Sequence, residues 1–341
     1  MKVVRFHEQG PPDVLRYEEA EDPTPGPGEV LLDVRAASVN HLDIWVRRQI
    51  PGVSLPRTPG ADAAGVVAEL GEGVTGLDVG DRVLLLPGTS CGDCLRCQEG
   101  EPTLCRHYGI YGESFDGTYC SRLVAPAANC LPIPEAWDFA QAAAFPLVAV
   151  TSWRMCMVRG GLKEGENVLI LGAAGGVGAL CIQVAKLAGC RVLAAASTPE
   201  KLALCESLGA DVLLPYRDVD WARQVKAETG KLGADVTIDT VGKATWNTSL
   251  RATRAGGRVL TCGATTGHDP QEDLRHIFFR QLSVIGSTMG NPEDLKAALA
   301  AANEGHLKPV IDRRLPLSEA RQAHELVEGR HVMGKVVLEI N

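Results

Sequence analysis

From Thr151 to about Gly290 the chain alternates apolar runs with amphipathic ones, and no other feature limits its fold so tightly. The apolar runs, at 167–171, 191–196, 211–214, 235–239, 258–262 and 282–286, read as strands buried on both faces. Helical stretches fall between them at 176–188, 199–208, 218–228 and 243–254. Such alternation predicts an α/β architecture, a doubly wound parallel sheet with helices on both faces. The first third reads otherwise. Strand-like runs at 2–6, 30–37, 64–70, 81–86 and 119–125 are separated by turn-rich stretches such as Asp22-Pro-Thr-Pro-Gly-Pro-Gly-Glu29, which predicts a mostly antiparallel β domain. Two helices at 292–304 and 318–328 and a last strand at 335–340 are expected to return to that domain. The predicted domains are therefore 1–148 with 290–341, and 149–289.

Between the first strand of the second domain and its helix lies Gly172-Ala173-Ala174-Gly175-Gly176-Val177-Gly178. Small residues there let backbone N–H groups and a helix N-terminus approach a pyrophosphate. A glycine-rich turn can also serve packing alone. At the strand-to-helix junction of a six-strand series it predicts a dinucleotide site built on Ala173, Gly175, Gly176, Val177 and Gly178. The next strand ends Ala194-Ala195-Ala196-Ser197-Thr198-Pro199-Glu200-Lys201, with no acid at its tip to take the ribose hydroxyls of NAD. Ser197 can donate to a 2′-phosphate and Lys201 can neutralise it, so the sequence favours NADP(H) over NAD(H). The competing reading leaves Lys201 in water and gives the ribose to Glu200.

Cys91, Cys94, Cys97 and Cys105 follow the spacing C-x2-C-x2-C-x7-C in one loop, where Gly88, Gly92 and Gly100 relax the backbone and Pro87 and Pro102 bar a continuing helix or strand. Short gaps let successive thiolates curl around one Zn2+ at tetrahedral geometry. One structural Zn2+ per chain is expected, in a lobe at 87–106. Four protein ligands would leave it no open position for chemistry; the alternative is four free or oxidised thiols. The other seven cysteines are scattered, which suits buried small hydrophobes in a reducing compartment without disulfides.

A net charge of -8 argues against a nucleic-acid or anionic-membrane partner and leaves a small molecule as the expected ligand. The start, Met1-Lys-Val-Val-Arg-Phe-His-Glu-Gln-Gly10, lacks the apolar core of a signal peptide, and the longest weakly polar run, 168–182, is shorter than a bilayer span. A cytoplasmic location is expected. Ile277, Phe278, Phe279 and Leu282 lead into the last parallel strand and suggest an edge that pairs with a second copy, giving a homodimer or a tetramer built on it.

Across essentially the whole chain these residues resemble the medium-chain dehydrogenase/reductase superfamily. The likeness is carried by Gly65–Val83, the run Ala142-Ala-Ala-Phe-Pro-Leu-Val-Ala-Val-Thr-Ser-Trp153, the glycine turn, Gly209-Ala210-Asp211, Asp239-Thr240-Val241-Gly242 and Gly334-Lys335-Val336-Val337-Leu338. It implies a Rossmann cofactor domain and a GroES-like catalytic domain, and the cysteine lobe is similar to the structural zinc lobe of the alcohol dehydrogenase branch. That branch also carries a catalytic metal on a Cys, a His and a later Cys or acid. This chain has Asn40 in place of the first Cys, Gly60-Ala61-Asp62 where Gly-His-Glu is expected, Leu147 at the third position, and Leu42 where a hydroxyl residue relays the proton. A replacement metal site from His41, Asp43 and Asp62 would need three ligands converging on one point. The resemblance instead puts His41 near the cofactor pyrophosphate, and Asp43 reads as fixing its own turn.

The V-N-x-x-D pattern, Ala173 and Pro146-Leu147 resemble the zinc-independent quinone oxidoreductase and enoyl reductase branch. Its NADPH phosphate is held by a Lys, a Tyr and a C-terminal Arg, and Lys201, Tyr216 and Arg330 stand at matching places; Tyr216 and Arg330 also read as surface packing. The expectation is an NADPH-dependent oxidoreductase that passes a hydride to a quinone or an α,β-unsaturated carbonyl compound, with the developing oxyanion held by hydrogen bonds. Asn40 is the candidate donor, although it also fits a turn-stabilising role, and Tyr111 is a candidate to line the substrate site. The resemblance implies that Thr151, Thr240, Val241, Gly263 and Ala264 surround the ribose and nicotinamide. The alternatives are an NAD(P)-dependent alcohol dehydrogenase and an NADPH-binding sensor or structural protein without turnover.

Overall fold

The apolar runs of the second half pair into one parallel sheet. Strands Val212–Pro215, Arg191–Ala196, Asn167–Leu171, Ala234–Ile238, Thr253–Thr261 and Ser283–Gly286 lie side by side in that order, each parallel to its neighbour. Strand Asn167–Leu171 thus has the next strand in sequence on one side and a later one on the other. Such a reversal of order opens a crevice at the carboxyl ends of the strands, where ligands of these sheets bind. The computed structural model describes residues 1–216 and 220–341. The predicted start of the third helix at Asp218 lies outside the described residues; the helix is seen from Trp221 to Glu228.

The first unit is built on a seven-stranded sheet ordered Ile311–Pro316, Lys335–Glu339, Glu29–Ser38, Asp62–Leu70, Arg82–Leu85 and Cys130–Pro132, with Arg122–Pro126 also pairing with Glu29–Ser38. All its pairings are antiparallel except Ile311–Pro316 on Lys335–Glu339. Val30, Leu32, Val34, Ala63, Val67, Val83, Leu85 and Leu338 form its buried core with helix Ala320–Glu328.

Compactness groups Met1–Leu147, Asn291–Leu295 and Lys308–Asn341 in this unit, and Val148–Gly290 with Lys296–Leu307 in the other. Helix Pro292–Asn303, expected whole in the first domain, gives that domain only its first turn. Sequence periodicity shows that such a helix has a buried face but not which body covers it. The charged edge strand Ile311–Pro316 was not expected, because Asp312, Arg313 and Arg314 mask the strand pattern. Among the described residues no helix is long and apolar enough to cross a membrane.

Candidate active site and zinc lobe

The glycine turn does what its residues require. Gly172 takes φ 61°, Gly175 accepts at its carbonyl from Ala179 N–H, and helix Gly176–Leu187 starts at once. A Cβ on Gly178 would lie 2.4 Å from the Gly172 carbonyl oxygen and 2.7 Å from Ala173 Cα, so the helix can press on the turn only with glycine there. The first-turn N–H groups of the helix have no intrahelical partner and carry the positive end of its dipole, as a pyrophosphate site needs.

A second loop is fixed by Asp239, fully buried at the end of strand Ala234–Ile238. Its carboxylate accepts from the N–H of Val241 and Gly242 and from the hydroxyls of Thr245 and Ser249, at 2.6–3.0 Å. Thr266 donates to the Val241 carbonyl from both its N–H and its hydroxyl, and Gly242 lies so close to Ala264 that a Cβ would come within 2.9 Å of its Cα. The structure therefore brings Thr240, Val241, Gly263 and Ala264 into one pair of meshed loops. In the same unit, Thr151 Oγ is buried and lacks a partner among the described residues, as a hydroxyl reserved for a ligand would. Thr198 caps helix Pro199–Ser207 by accepting from Lys201 N–H, leaving Ser197 half-buried beside it. Tyr216 packs partly buried against the Leu169 and Leu193 cluster, while Arg330 is exposed on the first unit.

Of the three positions of the first unit at which the resemblance would seat a metal, Ala61 is a buried methyl, while Asn40 and the Leu147 N–H are joined by polar groups through Asp62. Asp62 is fully buried. Its Oδ2 accepts from Ser38 Oγ at 2.9 Å, Asn40 Nδ2 at 2.8 Å and Lys335 Nζ at 3.2 Å, and its Oδ1 accepts from Leu147 N–H at 2.8 Å. Lys335, 4% exposed, also donates to the Val39 carbonyl at 2.9 Å and to Asn40 Oδ1. Four donors thus converge on this carboxylate, three of them on Oδ2, and the cluster carries its own cation.

Asn40 is the N-cap of helix His41–Arg48, and Asp43 at its third position accepts the Asn40 N–H at 2.7 Å, so Asp43 does fix this turn. Asp43 also accepts from Gly60 N–H and Tyr119 hydroxyl, each at 3.2 Å. Gly60 has φ 101°, and a Cβ there would lie 2.4 Å from the Tyr119 ring. Burial pushes Asp43 up to about 7, against the pull of the Asn40 N–H and Lys335. Behind Tyr119 its hydroxyl meets His324 Nε2 at 3.2 Å, and His324 Nδ1 accepts from Arg47 Nε at 3.2 Å. Burial, with the Arg47 cation, holds His324 neutral, down to about 3. The ring is thus the tautomer with hydrogen on Nε2, donating to Tyr119, which donates to Asp43. His41 is likewise pushed down to about 4 by burial, then by the Lys335 and Arg330 cations.

Tyr111 is placed differently from the expectation. It is 4% exposed, packs in the first unit's apolar core with its ring edge-on to Phe115 at 4.7 Å, and takes no part in the Asn40 network among the described residues. A large ring between short strands has more apolar area to bury than a loop can leave in water.

The sequence reading gave Lys335, Ser38, Tyr119 and His324 no site role. A lysine opening a strand, or a serine closing one, normally meets water, and nothing local signals otherwise.

Cys91, Cys94, Cys97 and Cys105 converge, all four Sγ atoms lying within 4.8 Å of one another. The pairs Cys91–Cys97, Cys94–Cys97 and Cys91–Cys105 are 3.9, 3.6 and 3.4 Å apart. A tetrahedron of thiolates about 2.3 Å from Zn2+ has sulfurs roughly 3.8 Å apart, close to these separations, so the cluster suits that ion. His107 N–H donates to Cys105 Sγ at 3.3 Å, a contact that favours the thiolate. Among the described residues this is the group of His, Cys, Asp and Glu side chains that could hold a metal ion.

Known proteins resemble the chain along its length. The family described as zinc-binding dehydrogenase matches residues 176–304, and that of the alcohol dehydrogenase GroES-like domain matches 26–135. Acryloyl-coenzyme A reductase of Metallosphaera sedula is 32% identical over 98% of both chains, and quinone oxidoreductase of Rattus norvegicus is 30% identical over 99% of this chain and 97% of that one. A crystal structure of an NAD-dependent alcohol dehydrogenase is 42% identical and superposes with a TM-score of 0.97 over the whole of both chains.

Proposed function

The chain belongs to the medium-chain dehydrogenase/reductase superfamily and is a zinc-type alcohol dehydrogenase-like, NAD(P)-dependent oxidoreductase, and we propose that it reduces a quinone or an α,β-unsaturated carbonyl compound with NADPH and without a catalytic metal. One observation carries this reading: where a metal would sit, Asn40, Asp62, Lys335, Ser38 and the Leu147 N–H satisfy one another and offer donors instead of ligand lone pairs.

A bound nicotinamide supplies two electrons and a hydrogen as hydride to the electrophilic carbon. The chain must then hold the oxygen on which negative charge collects. Asn40 keeps one Nδ2–H uncommitted among the described residues after serving Asp62, and that N–H is the oxyanion donor; water returns the proton. His41, neutral at physiological pH, can donate a hydrogen bond near the pyrophosphate without adding charge. Ser197, Lys201 and Tyr216 take the 2′-phosphate, and the cysteine lobe holds one structural Zn2+.

The exposed Phe278 and Phe279 beside edge strand Ser283–Gly286 suit a homodimer, which light scattering reads; a monomer at micromolar concentration refutes it. The similarity to an NAD-dependent alcohol dehydrogenase favours a second reading, alcohol oxidation with NAD. A panel of quinones, enones and alcohols, run with both cofactors and with and without chelator, separates the two. Chelator-resistant oxidation of NADPH by an enone or quinone is expected. Chelator-sensitive alcohol oxidation with two metals per chain would replace the proposal. Lys201→Ala should raise KM for NADPH about tenfold and leave that for NADH unchanged, the size of one charge-assisted phosphate contact.

A further inference from the structure

We propose that Lys335 is the positioning residue that fixes the Asn40 carboxamide as an oxyanion donor, an inference that rests on the functional reading above. Lys335 opens the terminal strand Lys335–Glu339, yet its ammonium is buried and has all three of its hydrogens directed: to the Val39 carbonyl, to Asp62 Oδ2 and to Asn40 Oδ1. Asn40 is held from the other end by Asp62, which accepts from Nδ2. The amide thus lies between an ammonium on its oxygen and a carboxylate on its nitrogen. Turning it over would set NH2 against NH3+ and oxygen against carboxylate, so only one orientation survives.

That orientation leaves the second Nδ2–H for an incoming oxygen. The ammonium on Oδ1 also draws density from the amide and strengthens this N–H as a donor, since hydrogen bonds in series polarise one another. A structural ion pair would be complete with Lys335 and Asp62 alone. Burying such a pair brings little net stability, so the extra bond to Asn40 is the informative contact.

The test uses the full-length, zinc-loaded chain in four forms: Lys335→Met, Asn40→Ala, their combination, and Lys335→Met/Asp62→Asn, which removes both charges where the single change does not fold. With the quinone or enone chosen from the panel, Lys335→Met should lower kcat by about 10- to 100-fold, the size of a misplaced reacting group, while NADPH affinity by nicotinamide fluorescence stays within about twofold. In the Asn40→Ala background Lys335→Met should have no further effect. An equal loss in both backgrounds, or no loss in either, overturns the proposal.

Failure of the functional reading shows elsewhere, as no turnover of any quinone or enone by the unaltered chain. The orientation is then read by nuclear magnetic resonance with 15N-asparagine labelling. The Asn40 NH2 pair should show one proton protected from exchange and well separated from its twin. That separation should collapse in Lys335→Met or, where that form does not fold, in the doubly neutral variant while persisting in Asp62→Asn, which keeps the ammonium on the Asn40 oxygen. Unchanged Asn40 signals refute the role of Lys335.

Discussion

Replacing Asp62 by Ala tests whether the first unit is held by the cluster described above. The change removes the counter-ion of a buried ammonium and the acceptor of three further donors, Ser38 Oγ, Asn40 Nδ2 and Leu147 N–H. Breaking a buried pair by deleting one partner costs about 3–5 kcal/mol. An orphaned backbone donor, here the Leu147 N–H, adds about 1–3 kcal/mol. The sum, about 4–8 kcal/mol, rivals the whole stability of a domain, which is about 5–15 kcal/mol. At about 2–4 °C per kcal/mol for a body of this size, the first unit's melting transition should fall by roughly 10–30 °C. Far-UV circular dichroism on zinc-loaded protein at neutral pH reads it, with zinc content measured in both samples to exclude damage to the cysteine lobe. The double change Lys335→Met/Asp62→Asn removes both charges while keeping the volume, and should recover more than half of the loss. A melting point for Asp62→Ala within about 2 °C of the unaltered chain would mean less than about 1 kcal/mol at stake, and would refute the cluster as drawn.

Three further outcomes are expected. His324, held down to about 3 against an unfolded value of 6.5, contributes stability present above pH 6.5 and lost as pH falls toward 3. His324→Gln, which can keep both hydrogen bonds, should flatten the acid limb by about 1.4 kcal/mol per pH unit; Asp43, raised to about 7, acts in the opposite sense over the same window but in both proteins. Parallel denaturation curves between pH 6.5 and 4.5 would rule the histidine out. Cys97→Ser should abolish zinc binding and lower the melting point, with kcat per folded molecule preserved, because four protein ligands leave no position for substrate; loss of kcat in step with zinc, without unfolding, would contradict a structural role. Gly178→Val forces a branched side chain into a place where even a Cβ is 2.4 Å from the Gly172 carbonyl oxygen, so NADPH affinity should fall at least tenfold by fluorescence titration. Unaltered affinity would separate that turn from the cofactor.

The sequence revealed the parallel sheet because its signal is local. Strands Asn167–Leu171 and Arg191–Ala196 begin and end where their apolar runs do, and the glycine turn sits between the first of them and its helix. Boundaries blurred where two elements abut without a breaker. The fourth helix, expected over 243–254, is confined to Trp246–Ala252, because Asp239 ties residues 241–245 into a turn and Thr253 already belongs to the next strand. Helix His41–Arg48 was hidden in plain view. Asn40 and Asp43, read as part of a family pattern, are also an N-cap and an acid at the third helical position, a start signal in their own right.

The cluster around Asp62 was illegible for a different reason. Ser38 and Asp62 are 24 residues apart, whereas Lys335 and Asn40 are 295 apart. No window of sequence holds both ends, and each residue taken alone has a duller explanation: a strand-end serine, a turn asparagine, a solvated lysine. Reading Asn40, Ala61 and Leu147 as lost metal ligands describes only what is missing. The geometry shows what lies between two of these positions, a buried cation tied to an amide and to a carboxylate that accepts from four donors. A lost metal alone would leave a hole or an apolar patch, and neither could stabilise an oxyanion. A charge-balanced cluster with one N–H to spare can, and it is expensive to bury unless that N–H is used.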